Sequence, residues 1–228
     1  MSRVPSSSLG AVPPEEEFPE IGPNSRVKRV FDVLCGCAML VVFAPLMITI
    51  AVLIYVFDGR GVIFAHERVG RDGRKFKCLK FRTMVRDNGE VLRRLLEECE
   101  ESRKEWAHCR KLKNDPRIVP VIGSLLRKSS LDELPQILNV IRGDMSVVGP
   151  RPIVEEELEN YGPWKKYYLL VRPGLTGPWQ IGGRSQTSYD SRVRMDVGYV
   201  KSWSFFGDVR IVYRTAMMLL RGRFDGAY

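Results

Sequence analysis

At 228 residues, 44% of them hydrophobic, the chain can bury one substantial core and still carry an appendage. Its formal net charge of +9 calls for an anionic partner: nucleic acid, anionic lipid or a phosphorylated metabolite. The five cysteines form no CxxC pair, which argues against a zinc ribbon, and His66 and His108 are too isolated to found a metal cluster.

Residues 1–25 read as a disordered N-terminal tail. They hold Ser6-Ser7-Ser8, several prolines and the acidic run Glu15-Glu16-Glu17, and they cannot bury enough apolar surface to offset their ordering entropy. No basic stretch leads at once into an apolar core, so no signal peptide is expected. Residues 26–58 follow as a membrane segment. Arg26, Lys28 and Arg29 precede an uncharged run from Val33 to Phe57, about 25 residues or roughly 37 Å as a helix, against a hydrocarbon core of about 30 Å. Pro45 breaks this run in its middle. The other flank, Arg60, Arg68, Arg71, Arg74 and Lys75, carries the same sign of charge, which holds both ends in the cytoplasm. A re-entrant helix bent near Pro45 fits these features, and so does a Pro-kinked span. A buried core helix fits less well, because the run is uncharged on every face.

Residues 59–228 read as a cytosolic, membrane-associated domain. Val62–His66 and Phe76–Arg82 alternate as strands around Arg71-Asp72-Gly73-Arg74, a hairpin turn signal. Lys80 and Arg82 fall on one strand face, either as solvated positions or as a two-cation ledge for phosphate. The periodicity predicts one long helix from Glu90 to Lys113, a candidate surface for a homodimer, ended by Asn114-Asp115-Pro116. Next comes Ser129-Ser130-Leu131-Asp132-Glu133-Leu134-Pro135-Gln136. Its adjacent carboxylates fit a capping box of Ser130 with Glu133, and they equally fit an acid pair set among cations to handle a phosphate. A short helix ending at Gly143 is then expected, followed by a rigid loop that holds Arg151 between Pro150 and Pro152 and suits it to grip phosphate. In the Gly-rich loop that follows, Trp179 can stack on a base or sugar beside Gln180, and Arg184 adds a cation. It is not a Walker A loop, because no GxxxxGK[ST] occurs. Tyr199, Trp203, Phe205 and Phe206 beside Lys201 suit a membrane interface or a core edge. A last amphipathic helix is expected over 208–220. No helix-turn-helix or RNA-stacking motif stands out, which sets nucleic acid aside as a partner.

Four motifs in this order, Lys80-Phe-Arg-Thr-Met84, Ser130-Leu-Asp-Glu-Leu-Pro-Gln136, Gly143-Asp-Met-Ser-Val-Val-Gly-Pro-Arg-Pro152 and Arg172-Pro-Gly-Leu-Thr-Gly177, resemble those of the bacterial sugar transferases, the monotopic phosphoglycosyl transferases. The short exopolysaccharide type is the most similar subgroup. The resemblance implies an α+β, mostly helical fold: a re-entrant membrane helix bent near Pro45 and a small cytosolic catalytic domain with a β-hairpin, at the cytoplasmic face of the bacterial inner membrane. It also implies an activity. Sugar-1-phosphate, galactose-1-phosphate in this subgroup, passes from a UDP-sugar to undecaprenyl phosphate with release of UMP and with Mg²⁺ as cofactor. Asp132 would be the nucleophile that carries the phosphosugar, Glu133 its partner, the two together the metal ligands, and Lys80, Arg82, Arg151 and Arg184 the phosphate ligands. Relatives often carry Ser before the proline, where this chain has Ala44. The rival expectations are a glucose-1-phosphate donor group, and a basic membrane-surface adaptor without chemistry, which would leave the acid pair unexplained.

Overall fold

The computed structural model describes residues 23, 25–109, 112, 115–120, 122–182 and 188–221. Apart from Pro23 and Ser25, the tail expected over 1–25 lies outside these residues, and so does Arg184. The described part is mostly helical, with two small two-stranded sheets.

Helix α1 runs from Arg26 to Asp58 with Pro45 inside it. Ser25 caps it by accepting from the Lys28 backbone N–H at 3.2 Å. Among the described residues it is the one helix long and apolar enough to cross a membrane, and Val41, Val42, Ile48, Val52 and Val56 are exposed along it. Both ends are held by the rest of the chain. Near its start, Lys28 Nζ reaches Asp208 at 2.7 Å and Asp32 at 3.5 Å, all three buried. Near its end, Asp58 pairs with Arg82 at 2.6 Å.

Strands β1 (Ile63–Val69) and β2 (Lys75–Phe81) form the expected antiparallel hairpin, with Phe64 opposite Lys80 and His66 opposite Cys78. At its turn Asp72 and Gly73 both take positive φ, 58° and 74°, which an Asp-Gly turn tolerates. The single helix expected over Glu90 to Lys113 is two helices, α2 (Asn88–Glu98) and α3 (Glu100–Cys109), because Cys99 turns extended at φ −122°, ψ 109°. Side-chain period cannot register one residue leaving the helical region, which corrects the long-helix expectation.

Helix α4 (Ile122–Ser129) leads to a 3₁₀ turn over Leu131–Glu133, then α5 (Gln136–Arg142) stops at Gly143. Asn139 of α5 is fully buried and clamps the hairpin: its Oδ1 accepts from Leu79 N at 3.0 Å, and its Nδ2 donates to Lys77 O at 2.9 Å. The stretch expected as a rigid loop over 145–152 contains β3 (Ser146–Val148), which pairs in parallel with β4 (Gly174–Thr176). Between them lie α6 (Glu155–Leu158) and α7 (Lys165–Leu169); after them come α8 (Pro178–Ile181), α9 (Tyr189–Lys201) and α10 (Phe205–Leu220). The core gathers Val140, Met145, Val148, Ile153, Tyr161 and Val193. Of the aromatic cluster at the α9–α10 corner, Tyr199 is buried, donating to Val148 O and to Asp208, while Phe206 stays 82% exposed. The cluster therefore divides between core and surface.

Candidate active site

The turn that presents the acid pair is strained. Ser130 takes φ 58°, ψ 17° and makes no side-chain cap, a left-handed conformation that costs a non-glycine residue about 1 kcal/mol or more. The Ser130 half of the expected capping box is therefore absent; the Glu133 N–H donates instead to the Ser130 carbonyl at 3.2 Å. With capping removed, the carboxylates are left to face cations. Lys80, next to the last residue of β2, donates to Glu133 Oε1 at 2.6 Å and lies 4.0 Å from Asp132 Oδ2. The Arg151 guanidinium is 4.0 Å from the same Glu133 oxygen.

The two carboxylates are not equivalent. Glu133 is neutralised at close range by Lys80, whereas the Asp132 side chain is only 13% exposed and farther from that charge. Burial pushes the Asp132 carboxyl up to about 6, Lys80 pulls it down, and the adjacent Glu133 charge raises it again. Desolvation outweighs the pull of Lys80. The result is a more basic carboxylate, still ionised at neutral pH.

A narrow cavity opens beside Glu133 and Lys80, lined also by Arg68, Gln136, Arg151 and Gln180. Its wall is tight because the loop carrying Arg151 and the loop after Arg172 lie almost backbone to backbone. A Cβ on Gly174 or on Gly177 would collide with the backbone of Gly149. Cys78 also lines it, and burial raises its thiol to about 11, so it serves as a neutral filler.

Of the residues singled out from sequence, Glu133, Lys80, Arg151 and Gln180 line this cavity, and Asp132 stands beside them, 4.0 Å from Lys80. Trp179 sits just behind, its ring centroid 5.5 Å from the Arg151 guanidinium carbon. Arg82 does not join them. Its guanidinium is held by the Asp58 carboxylate at 2.6 Å and by the carbonyls of Asp58 and Arg60 at 3.0 and 2.7 Å, so the two-cation ledge is divided between the site and the end of α1. Arg184 lies outside the described residues, and Pro45 is in α1, away from this cavity. Sequence reasoning missed Arg68 and Gln136. The hairpin register could have found Arg68, since Phe64, His66 and Arg68 alternate on the face that Cys78 and Lys80 share.

An acid pair set among three cations, at the foot of a long apolar helix, defines a class, and the chain belongs to it: the bacterial sugar transferase family, whose sequence model matches residues 23–222. Within that family it is 50% identical over 203 residues to the exopolysaccharide production protein ExoY of Rhizobium meliloti (strain 1021), covering 88% of this chain and 89% of that one. It is also 50% identical over 202 residues to the undecaprenyl-phosphate galactose phosphotransferase of Salmonella typhimurium, covering 89% of this chain and 42% of that protein. Identity is 35% over 223 residues to the UDP-glucose:undecaprenyl-phosphate glucose-1-phosphate transferase of Escherichia coli (strain K12), covering 94% of this chain and 44% of that protein. The chain thus spans most of ExoY and less than half of the other two.

Proposed function

We propose that the protein transfers a sugar-1-phosphate, galactose-1-phosphate, from a UDP-sugar to undecaprenyl phosphate, releasing UMP, in the first membrane step of exopolysaccharide synthesis. The observation that carries this reading is the placement of Asp132 and Glu133 against Lys80 and Arg151. The choice of galactose follows the name of the Salmonella typhimurium relative at 50% identity over that of the Escherichia coli relative at 35%.

The mechanism assigned to these residues has two steps. A carboxylate oxygen of Asp132 attacks the sugar-bearing phosphorus; the new O–P bond forms as the diphosphate bridge breaks, and UMP leaves with the bridging oxygen. A phosphate oxygen of the polyprenyl acceptor then attacks the same phosphorus and Asp132 leaves, restored. Splitting one transfer into two lets a soluble donor and a lipid acceptor use one site in turn. Lys80, Arg68 and Arg151 offset the charge of the diphosphate as the anionic nucleophile approaches. Mg²⁺ is the proposed cofactor. Magnesium is commonly held by one or two carboxylates together with substrate phosphates, a requirement the neighbouring Asp132 and Glu133 fit without a third protein ligand. It would supply charge neutralisation at the transferring phosphoryl group.

We further propose that α1 is re-entrant and that the protein sits on the cytoplasmic face of the bacterial inner membrane. A straight helix would separate Arg29 from Asp58 by about 43 Å. Yet Arg29 donates to the carbonyls of Val140 and Ile141 at the end of α5, and Asp58 holds Arg82 just past β2. Those two elements are joined by Asn139. Anchors this close support a bend at Pro45, where Thr49 also turns its hydroxyl back onto the Pro45 carbonyl at 2.9 Å. With Ala44 before the proline, Thr49 supplies the polar group near the bend.

Purified enzyme with Mg²⁺, undecaprenyl phosphate and a panel of UDP-sugars tests the function. UMP is expected with UDP-galactose, and none from Asp132→Asn. Release of UDP, or full activity in that variant, would overturn the reading; turnover of UDP-glucose alone would change the sugar and leave the reaction class standing.

A further inference from the structure

Arg192 is a buried charge that neither step uses. It lies on α9 with its side chain 8% exposed. Its guanidinium carbon is 5.0 Å from the centroid of the Trp179 ring and 5.3 Å from that of Tyr189. One terminal nitrogen donates to the backbone carbonyl of Arg151 at 3.4 Å, and the other to Glu157 at 3.4 Å.

A plain interior ion pair would look different. The acid one helical turn on, Asp196, is 3.9 Å from Arg192 Nε, and it already accepts from the Tyr161 hydroxyl at 2.7 Å. An arginine placed only to neutralise Asp196 would make the close forked pair that guanidinium and carboxylate favour. Here its flat cation is spread between two rings and the backbone of the residue whose own guanidinium faces Glu133. Trp179 is shared as well, since its centroid is 5.5 Å from the Arg151 guanidinium carbon and 5.0 Å from that of Arg192. Arg151 itself is 41% exposed. A side chain so open has rotamer freedom to lose when it grips a phosphate. Fixing its backbone and giving its fork a ring to lie near removes part of that loss in advance.

We infer that Arg192 is a positioning residue for the donor's diphosphate: it holds the Trp179 ring and the Arg151 backbone so that the Arg151 fork meets a UDP-sugar beside Glu133. This rests on the UDP-sugar reading proposed above. Lysine cannot replace it, because an ammonium keeps the charge facing Glu157 and Asp196 but lacks the several donors that reach the Arg151 carbonyl and Glu157 at once.

The test is the steady-state rate of UMP release from UDP-galactose in wild type, Arg192→Lys, Arg151→Lys and the double variant. Arg192→Lys retains the buried charge and so keeps the fold within reach. It is expected to raise the donor KM about tenfold, with kcat changed far less, the size of one lost hydrogen bond to a charged group. In the Arg151→Lys background the same change should add little, because the two residues act as one unit. An unchanged KM in Arg192→Lys, or the same factor in both backgrounds, overturns the positioning role while leaving the reaction intact. Absence of UMP from wild type with every UDP-sugar is a different failure: it removes the function, and this inference with it.

Discussion

As the proposed nucleophile, Asp132 has to be ionised although it is buried, and the two demands pull apart. Burial raises its carboxyl from 3.8 to about 6 against the opposing pull of Lys80. For the reaction this sets an acid limb. We expect kcat/KM for the donor to fall about tenfold per pH unit below about 6 and to level off above it, since that ratio reports the free enzyme. At limiting Mg²⁺, where the cation does not hold the carboxylate ionised, a profile of UMP release that stays level down to pH of about 4.5 would contradict the burial account of Asp132. For stability the sign is the reverse of the usual carboxylate case. The folded protein binds this proton more tightly than the unfolded chain does. The resulting stabilisation is fully present below 3.8 and is lost as pH rises through about 6. At neutral pH and above, the ionised group therefore opposes folding by up to about 3 kcal/mol. Asp132→Asn should abolish turnover and at the same time stabilise the metal-free protein at pH of about 8, the gain shrinking toward pH of about 4. Chemical denaturation in detergent measures it, and a variant less stable than wild type at the higher pH contradicts the burial account.

Among the elements, α1 is tied to the domain by a buried network rather than by packing alone. Lys28 faces both Asp208 and Asp32. Asp32 accepts from Ser146 Oγ at 2.9 Å and from Val147 N at 3.0 Å, which brings β3 into the same knot. Asp208 takes the hydroxyl of Tyr199 at 2.9 Å and the indole N–H of Trp203 at 3.0 Å. Removing the cation leaves two buried carboxylates facing each other's field. Lys28→Met should destabilise by about 3–5 kcal/mol, seen as a lower unfolding midpoint; a shift of less than about 1 kcal/mol would mean the network is incidental. Little of this was legible beforehand. The hairpin was, because Asp72-Gly73 states its turn locally. The acid pair, Lys80 and Arg151 were, because their motifs are short and contiguous. The β3–β4 pair was not: its strands are three residues each and meet across an intervening stretch of helices, so no local period marks them. Arg192 was invisible for the same reason, its partners Arg151, Glu157 and Trp179 being brought to it only by tertiary folding. Arg82 was misplaced because alternation tells which face a side chain takes, and Asp58 at the end of α1 claims it there.

For the molecule as a whole, the proposal of a re-entrant α1 puts both of its ends on one side of the membrane, and the anchors bear on it directly. Two of the charges before α1 are also structural parts: Lys28 is buried in the ion network and Arg29 holds the final carbonyls of α5. Just past the other end, the Arg60 carbonyl accepts from Arg82 and Arg86. A spanning arrangement would have to break one set, because the hairpin and α5 clamped by Asn139 cannot lie on both sides of a bilayer. We therefore expect single cysteines introduced at Ser25 and at Asp87, with the native cysteines replaced, to resist an impermeant maleimide in intact cells and to react in inverted vesicles. Labelling of the Ser25→Cys site from outside would show that α1 spans. The bend can be tested in the same assay. Replacing Pro45 by Ala favours a straight helix by about 3 kcal/mol, and a straight helix cannot keep Arg29 on α5 and Asp58 on Arg82 together. Pro45→Ala should therefore expose part of the Ser25→Cys population to the outside reagent, with activity falling in proportion. If the variant stays wholly protected and fully active, the anchors alone bend the helix and the proline is dispensable.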